Sequence, residues 1–246
     1  SGNDTKQKRA GKVYEPGGKD TGIPAAILNL LYPKVCPFCG EISPEGICGK
    51  CRKKTVYIDG TRCMRCGRPI KRETEEYCMD CSRSDSDIDQ GKNLWLHREP
   101  VSGALYRFKY KNKRSWGRVF AEELAAQYTD QIRKWKIDAV IPVPLHSSRL
   151  RKRGFNQAEI LAQELSALTG LPVYRDVLYR IRKTTPQKKL GRGSRMKNLK
   201  GAFGVSRSWV PCRNVLLIDD IYTTGATLDS AARVLKIAGV QNVYFL

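Results

Sequence analysis

The stretch that most constrains the fold is residues 215–227, Val-Leu-Leu-Ile-Asp-Asp-Ile-Tyr-Thr-Thr-Gly-Ala-Thr. It begins with an apolar run that is typical of a buried parallel strand, and Asp219 and Asp220 stand where that strand ends. A turn of small and hydroxylated residues follows and leads into an amphipathic run over residues 228–238. The pattern predicts a strand, a loop and a helix in direct succession, as in an α/β fold.

The loop of this unit has the composition of an anion site. Backbone N–H groups before a helix, together with the helix dipole, favour a phosphate. Thr223, Thr224 and Thr227 add hydroxyl donors, and Gly225 lets the backbone approach the anion closely. The preceding acids would repel a phosphate, but they suit hydrogen bonds from sugar hydroxyls. The stretch therefore predicts a site for a phosphorylated ribose, and the alternative is an ordinary strand-to-helix turn with two solvated acids.

Eight of the nine cysteines form four Cys-x-x-Cys pairs, which favours metal binding in a reducing cytosol over disulfide-rich knots. Tetrahedral zinc takes four thiolates, so eight cysteines fill two closed, structural sites. Sequential pairing along the chain is the simplest arrangement, and an interleaved one is also compatible with the spacing. Few hydrophobic residues lie between the pairs, so the metal is expected to supply much of the folding energy. The predicted zinc ligands are Cys36, Cys39, Cys48, Cys51, Cys63, Cys66, Cys78 and Cys81.

The charge of the chain points to polyanionic partners. It carries 45 Lys and Arg against 24 Asp and Glu, a formal net charge of +21. Nucleic acid, phosphorylated metabolites and an anionic membrane surface all fit such a charge. The apolar stretch 23–32 is too short to span a bilayer and no secretory signal precedes it. We expect a cytoplasmic protein that is not an integral membrane protein, with association at the inner face of the membrane as a further option.

Composition divides the chain into four segments. Residues 1–22 are polar and are predicted to be a flexible tail. Residues 23–82 are predicted to hold a short helix over 25–32 and the double zinc-ribbon module. Residues 83–91 read as a linker, and residues 92–246 as a folded α/β domain.

Within that domain the periodicity changes several times. Residues 104–110 alternate like a strand, and residues 120–135 carry apolar side chains at helical spacing. Residues 137–141 predict a strand closed by Pro142, Val143 and Pro144. A capping box of Asn156 and Glu159 is predicted to open a helix that ends at Gly170, and residues 177–181 predict another strand.

This alternation implies a parallel sheet with helices on both faces. Ligands bind at the carboxyl ends of the strands in such sheets, so we expect the loops at 109–111, 142–146 and 219–227 to meet at one edge. Residues 184–200 lack a period, and the stretch 177–218 contains 11 basic residues and no acid. We predict a mobile cationic lid over a polyphosphate there, with a merely solvated loop as the alternative.

Together these motifs carry a resemblance to known proteins. The 215–227 stretch resembles the phosphoribosyl pyrophosphate (PRPP) motif of type I phosphoribosyltransferases. The double zinc ribbon, followed in order by further short motifs, is similar to the ComF (ComFC) family of natural-competence proteins. Those motifs are Lys109-Tyr110, Pro-Val-Pro at 142–144, Arg-Gly-Phe-Asn-Gln at 153–157, Thr-Pro-Gln at 185–187, Arg-Met-Lys-Asn at 195–198 and Gly-Ala-Phe at 201–203.

The resemblance implies a type I phosphoribosyltransferase fold that binds PRPP with Mg²⁺. It also implies a role in handling incoming single-stranded DNA during DNA uptake and transformation, with a competence-machinery protein as a further partner. By matching position, Asp219 and Asp220 would hold the ribose hydroxyls. The 5′-phosphate would bind Thr223, Thr224, Gly225, Ala226 and Thr227, and the pyrophosphate would bind Lys109, Pro142, Val143, Pro144 and Arg153.

The sequence identifies no catalytic residue and no acceptor pocket. Two alternatives to a competence protein therefore stay open. One is an active phosphoribosyltransferase of nucleotide salvage with an unknown acceptor. The other is a PRPP-sensing regulatory or assembly factor.

Overall fold

The computed structural model describes residues 13–14, 33–181 and 201–246. The strands in this part of the chain are β1 (Val13–Tyr14), β2 (Gln90–Gly91), β3 (Ala139–Pro142), β4 (Val173–Tyr174), β5 (Leu178–Arg180), β6 (Phe203–Val205), β7 (Asn214–Ile218) and β8 (Asn242–Phe245). The helices are α1 (Gly49–Lys54), α2 (Met79–Ser82), α3 (Val101–Tyr110), α4 (Trp116–Lys134), α5 (Ser147–Arg153), α6 (Gln157–Thr169) and α7 (Ala226–Ile237).

Six strands form one sheet in the order β1-β4-β3-β7-β8-β2. All neighbours are parallel except β1, which pairs antiparallel with β4. In the centre of the sheet β3 runs beside β7 with Pro142 opposite Ile218, so both strands end at the same edge. This confirms the predicted parallel α/β sheet and brings the loops that follow these two strands together.

Both faces of the sheet are covered, as the apolar run of β7 predicts. Leu216 and Ile218 pack into one core with α3, α4 and α6. Val215 and Leu217 point the other way, into a second core with α7, β5 and β6. A strand buried on both faces needs apolar residues at every position, which is why this run does not alternate with polar residues.

The strand predicted over residues 104–110 is wrong, because this segment is the end of α3. The buried side chains of α3 are Val101, Ala104, Leu105 and Phe108. They recur at a spacing of three and four residues, which places them on one helical face. The alternation of aromatic and basic residues in this segment reflects an apolar helical face beside an exposed one.

The other predicted elements of the domain are found, one of them in a different setting. The helix over residues 120–135 is α4, and the aromatic residues Phe120, Tyr128 and Trp135 are core residues. The strand predicted over residues 177–181 is β5. It lies outside the parallel sheet and forms an antiparallel two-stranded sheet with β6.

Two segments at the margins of the domain contribute strands. Val13–Tyr14, within the predicted flexible tail, pairs with β4 at the edge of the sheet. The predicted linker ends in β2, which pairs with β8. Before β2, the Ser86 hydroxyl donates to Asp229 Oδ1 on α7 over 2.6 Å, and Ile88 is buried. Residues 83–91 therefore pack on the domain that they join.

Two predictions fall where the structure gives no description. The short helix over residues 25–32 and the lid over residues 184–200 both lie outside the described residues. Among the helices of the described part, none combines the length and apolar character needed to cross a bilayer.

Candidate functional site

The candidate site lies at the carboxyl ends of β3 and β7. Asp219 and Asp220 follow β7 directly, and Val143 follows β3. The Val143 N–H donates to the Ile218 carbonyl over 2.9 Å, so the two chain segments stay side by side as they leave the sheet. This is the position at which open α/β sheets bind their ligands.

The two acids are held in different ways. Asp219 Oδ1 accepts the backbone N–H of Asp220 over 2.9 Å, and the Asp219 N–H donates to the Leu246 carbonyl over 3.2 Å. Asp220 Oδ2 forms an ion pair with Lys109 Nζ at 2.7 Å. Burial, with the adjacent Asp220 carboxylate as the second cause, raises the pKa of Asp219 to about 7. The pair therefore offers carboxylate oxygens in a secluded position, where a hydroxyl donor or a cation would be a favourable partner.

Residues 221–225 then turn the chain into α7. Gly225 has φ +76° and is the N-cap of α7, and a Cβ at this position would lie 2.5 Å from Tyr222 Oη. Only glycine fits both the backbone conformation and the contact. The turn directs the amino end of a 12-residue helix, which carries the positive end of the helix dipole, towards the edge of the sheet that carries the acids.

One hydroxyl of this turn fits an anion ligand. Thr224 Oγ1 is buried and has no hydrogen-bond partner within the part of the chain that the structure describes. Buried polar atoms are normally paired, because an unpaired one costs about 1–3 kcal/mol. A phosphate at the amino end of α7 would satisfy this donor together with the helix N–H groups.

The chain after β3 forms a second turn beside the first. Residues 143–146 lead into α5, and the His146 side chain accepts the N–H of Ser148 over 3.2 Å as the N-cap of that helix. Arg149 and Arg153 lie on α5, which ends at Gly154 with φ +82°. The second turn thus presents arginines towards the edge where the acids lie.

The predicted capping box at Asn156 is wrong. Asn156 precedes α6, but its side chain does not accept a hydrogen bond from the helix. Its Nδ2 group donates instead to the Val143 carbonyl over 3.0 Å, and Glu159 pairs with Arg175 at 3.1 Å. Asn156 therefore fixes the turn after β3, while the predicted helix end at Gly170 is confirmed, with φ +74°.

Two arginines of the site were not singled out from the sequence. Arg180 ends β5, and its guanidinium carbon lies 5.0 Å from the ring centroid of Phe203. Burial, and then the neighbouring Arg149, lower the pKa of Arg180 to about 10, while Asp219 acts in the opposite direction. Burial and the proximity of Arg153 likewise lower the pKa of Arg149. These side chains form a concentrated positive charge near the acids, which an anionic ligand would relieve.

Sequence signals for these arginines are weak. Arg180 stands at the start of the acid-free stretch 177–218, which was the one available pointer. Arg153, which the sequence did identify, lies with its guanidinium carbon 4.9 Å from the ring centroid of Tyr110 and donates to the Tyr110 hydroxyl over 3.3 Å. Of the residues predicted to contact pyrophosphate, Lys109 reaches Asp220, and Val143 adjoins the end of β7.

The eight paired cysteines form two groups of four, in the sequential arrangement. In each group all four sulfur atoms lie within 4.8 Å of one another, and all eight thiols are free of disulfides. The Sγ atoms of Cys39 and Cys48 are 3.7 Å apart, as are those of Cys66 and Cys78. Sulfurs placed tetrahedrally at about 2.3 Å from a zinc ion would lie roughly 3.8 Å apart. Both groups therefore fit a closed, structural zinc ion, and the interleaved arrangement is excluded.

The first cysteine group is docked on helices α3 and α4. Arg107 on α3 donates to the carbonyl groups of Pro37 and Phe38 over 2.9 and 3.0 Å. Arg52, next to Cys51, forms an ion pair with Glu123 on α4 at 2.5 Å. The first ribbon thus packs on α3 and α4, which cover one face of the sheet.

The second cysteine group is docked on the candidate site itself. The Arg68 guanidinium contacts Cys78 Sγ at 3.4 Å and lies 5.7 Å from the ring centroid of Tyr222. Tyr222 is stacked on Phe245, with centroids 5.1 Å apart and an interplanar angle of 4°. Burial raises the pKa of Tyr222 above its usual range. A continuous set of contacts therefore joins the second metal site to the 221–225 turn.

A cavity of about 520 Å³ lies between the second ribbon and the sheet. Its walls are mostly apolar and include Leu94, Trp95 and Phe120, while Asp219 and Asp220 line one end. Its size falls in the range of small-molecule sites, which combine apolar walls with a few polar groups. The sequence contained no signal for this cavity, because its walls come from many segments that are distant along the chain.

Comparison with known proteins agrees with this architecture. The double zinc ribbon domain family matches residues 27–82, and the phosphoribosyl transferase domain family matches residues 118–245. The chain is 32% identical to competence protein F of Haemophilus influenzae over 208 residues, which cover 82% of this chain and 90% of that protein. It is 29% identical to competence protein ComFC of Bacillus subtilis, covering 79% of this chain and 80% of that protein. It is 27% identical to the DNA utilization protein YhgH of Escherichia coli, covering 87% of this chain and 96% of that protein.

Proposed function

This chain belongs to the ComF family, and we propose that it binds PRPP with Mg²⁺ at Asp219 and Asp220 and handles single-stranded DNA in DNA uptake, as a cytoplasmic protein. One observation carries the PRPP part of the proposal. The half-buried acid pair at the end of β7 leads through one turn into the amino end of α7, with Lys109 paired to Asp220 and Arg180 near Asp219.

The sugar and its 5′-phosphate suit the 219–227 segment. Carboxylate oxygens accept hydrogen bonds from ribose hydroxyls, as acids beside nucleotide sites do. One turn further on, the N–H groups of α7 and the unpartnered Thr224 hydroxyl would face the phosphate. The spacing along the chain thus follows the order of groups in a ribose 5-phosphate.

The pyrophosphate and its metal suit the positive part of the site. Arg149, Arg153 and Arg180 supply positive charge, and Lys109 forms an ion pair with Asp220. Mg²⁺ prefers oxygen ligands and is usually held by one or two carboxylates together with substrate phosphates. In this proposal Asp219 or Asp220 would contribute such an oxygen, and the bound Mg²⁺ would neutralise part of the pyrophosphate charge.

The DNA part of the proposal has two supports. Two relatives are named as competence proteins and a third as a DNA utilization protein. The net charge of +21 matches a polyanion, and phosphate neutralisation dominates the affinity of such proteins for nucleic acid.

Calorimetric titration of the zinc-loaded chain with PRPP and Mg²⁺ tests the first part. The double variant Asp219→Asn with Asp220→Asn should lose at least about 100-fold in affinity, because hydrogen bonds to charged groups contribute about 1.5–3 kcal/mol each. Thr224→Val should lose at least about 10-fold, because its hydrogen bond would be to a charged phosphate and such a bond contributes about 1.5 kcal/mol or more. Asp138→Asn is the matched control, since Asp138 accepts the Asn214 N–H at the opposite end of β7. Equal affinities across these variants would contradict the proposed site.

Binding of a labelled single-stranded oligonucleotide at several salt concentrations tests the second part. The logarithm of the affinity should fall linearly with the logarithm of the salt concentration, with a slope of about −0.7 for each phosphate contacted. Weak binding at low salt, or binding indifferent to salt, would remove DNA from the proposal and leave PRPP binding untouched.

Transfer of the phosphoribosyl group is a second candidate, and the cavity beside the acids favours it. A planar acceptor in this cavity would approach the ribose from the side of Asp219 and Asp220. A nucleophilic atom of the acceptor would bond to C1 of the ribose while the bond from C1 to the pyrophosphate oxygen breaks. Pyrophosphate would leave with the electron pair, and the acceptor would release its proton to solvent or to a carboxylate. Acceptor-dependent release of pyrophosphate from PRPP supports this candidate, and an acceptor screen without turnover leaves a binding protein.

A further inference from the structure

Two tyrosines on α3 are exposed beside the candidate site. Tyr106 is 53% exposed and Tyr110 is 55% exposed, so more than half of each side chain faces solvent. They are one helical turn apart, and their ring centroids are 5.0 Å from each other. We call this pair the tyrosine platform. Neither residue belongs to the core, so packing does not explain them.

Exposed cations surround the tyrosine platform. Residues 101–121 contain six Lys and Arg side chains and residues 142–158 contain four, and neither stretch contains an acid. The two stretches meet in space, since Arg114 donates to the Gly154 carbonyl over 3.5 Å and Arg153 lies over the Tyr110 ring. Of the six exposed members of this set, Arg118 is paired with Glu122 and Glu164. We call the other five the basic rim; they are Lys111, Lys113, Arg114, Arg151 and Lys152.

We propose that the tyrosine platform and the basic rim bind single-stranded DNA, with bases stacked on Tyr106 and Tyr110 and phosphates on the rim. This inference rests on the proposed DNA function and assigns it a surface. Single strands combine unpaired aromatic faces with a regular line of negative charge, and proteins that bind them combine aromatic side chains with a positive groove. A duplex hides its base faces, so it could use only the basic rim.

The position of the surface links it to the PRPP site. Lys109 lies between the two tyrosines in sequence and forms the ion pair with Asp220. Arg153 contacts Tyr110 and lies near Arg149. Arg149 in turn lies near Arg180, which is close to Asp219. A strand on the tyrosine platform would therefore pass along the mouth of the PRPP site.

The test measures oligonucleotide affinity by fluorescence anisotropy at fixed salt. The double variant Tyr106→Ala with Tyr110→Ala should lose about 10- to 100-fold in affinity, and the double variant with Phe at both positions should stay within about 3-fold of the unaltered chain. Tyr77 and Tyr179 are also exposed but lie on the second ribbon and on β5, so their double Ala variant is the matched control and should bind normally. Zinc content and the temperature of thermal unfolding show that each variant is folded.

Two further arms separate stacking from charge. A strand in which abasic sites replace the bases should bind the Ala double variant and the unaltered chain equally. Arg151→Gln with Lys152→Gln should instead reduce the slope of log affinity against log salt concentration by about 1–2. This variant should not change the ratio of the affinities for the normal and the abasic strand.

The outcomes distinguish this inference from the function on which it rests. If the unaltered chain does not bind single-stranded DNA, the DNA function fails. If it binds DNA but the Tyr106 and Tyr110 variants bind equally well, or if duplex binds more tightly than single strand, only the tyrosine platform is overturned and this surface serves another partner.

Discussion

Replacing Asp219 by Asn should stabilise the protein, and the gain should grow with pH. Burial and the adjacent carboxylate raise the pKa of Asp219 from an ordinary 3.8 to about 7 in the folded chain. The folded state therefore holds a proton that the unfolded state has released between these two values. Stability falls as pH rises through this window, because ionisation stabilises the unfolded state while the native carboxyl still keeps its proton. The amide variant carries no such penalty.

The size of the effect follows from the two pKa values. A rise of about three units in the pKa lowers the free energy of unfolding at pH 8 by at most about 4 kcal/mol. About 2 kcal/mol of this loss would develop between pH 5.5 and pH 8. Asp219 retains some solvent contact, so we expect about 1 kcal/mol over this range. For a chain of this size that is an extra 2–4 °C in Tm.

Thermal unfolding of the zinc-loaded proteins at pH 5.5 and pH 8 measures this difference. D219N should melt above the unaltered chain at pH 8, with a smaller gap at pH 5.5. For the control Asp138→Asn, at the other end of β7, the difference in Tm from the unaltered chain should be the same at pH 5.5 and pH 8. If D219N is the less stable protein at pH 8, or if its advantage does not depend on pH, the strained position assigned to Asp219 is wrong.

Three further predictions concern the supports of the site. Arg68→Ala should weaken PRPP binding about 2- to 30-fold in calorimetry, because a cation–π contact contributes about 0.5–2 kcal/mol. Arg52→Ala on the first ribbon is the control and should leave PRPP affinity unchanged. Equal effects of the two variants would show that the contact between Arg68 and Tyr222 does not support the site. Cys81→Ser and Cys51→Ser should each reduce bound zinc from two ions to one, measured by metal analysis. Only Cys81→Ser should also lower PRPP affinity by more than about 2-fold, because only the second ribbon contacts the site. Lys109→Met should weaken PRPP binding about 10-fold through loss of a charge-assisted contact of about 1.5 kcal/mol, and an unchanged affinity would remove Lys109 from the pyrophosphate site.

The predictions that succeeded rest on local patterns. The strand, acid pair and glycine turn of residues 215–227 lie within one continuous segment, so spacing alone predicts their order in space. The cysteine groups were predicted for the same reason, because each knuckle is a short local turn. Lys109 was placed at the site although its element was assigned wrongly, since the end of a helix and the end of a strand both deliver a side chain to a sheet edge.

The features that the sequence missed depend on contacts between distant segments. Asn156 looks like a helix cap, but its side chain is used by the Val143 carbonyl 13 residues away. Arg68 and Tyr222 are more than 150 residues apart, and nothing in either neighbourhood signals that they meet. The cavity and the tyrosine platform exist only once the second ribbon, α3 and the sheet are in place. Motifs within one continuous segment were therefore predictable, whereas contacts between distant segments were not.

The central claim is that one site holds a ribose 5-phosphate at residues 219–227 and a pyrophosphate beside α5 and Arg180. Calorimetry of the zinc-loaded chain in Mg²⁺ with PRPP, ribose 5-phosphate and pyrophosphate tests this claim most directly. We predict that all three ligands bind, that PRPP binds at least about 100-fold more tightly than either half, and that each half competes with PRPP. Binding of only one half with PRPP no tighter than that half, or no heat with any of the three, would contradict it.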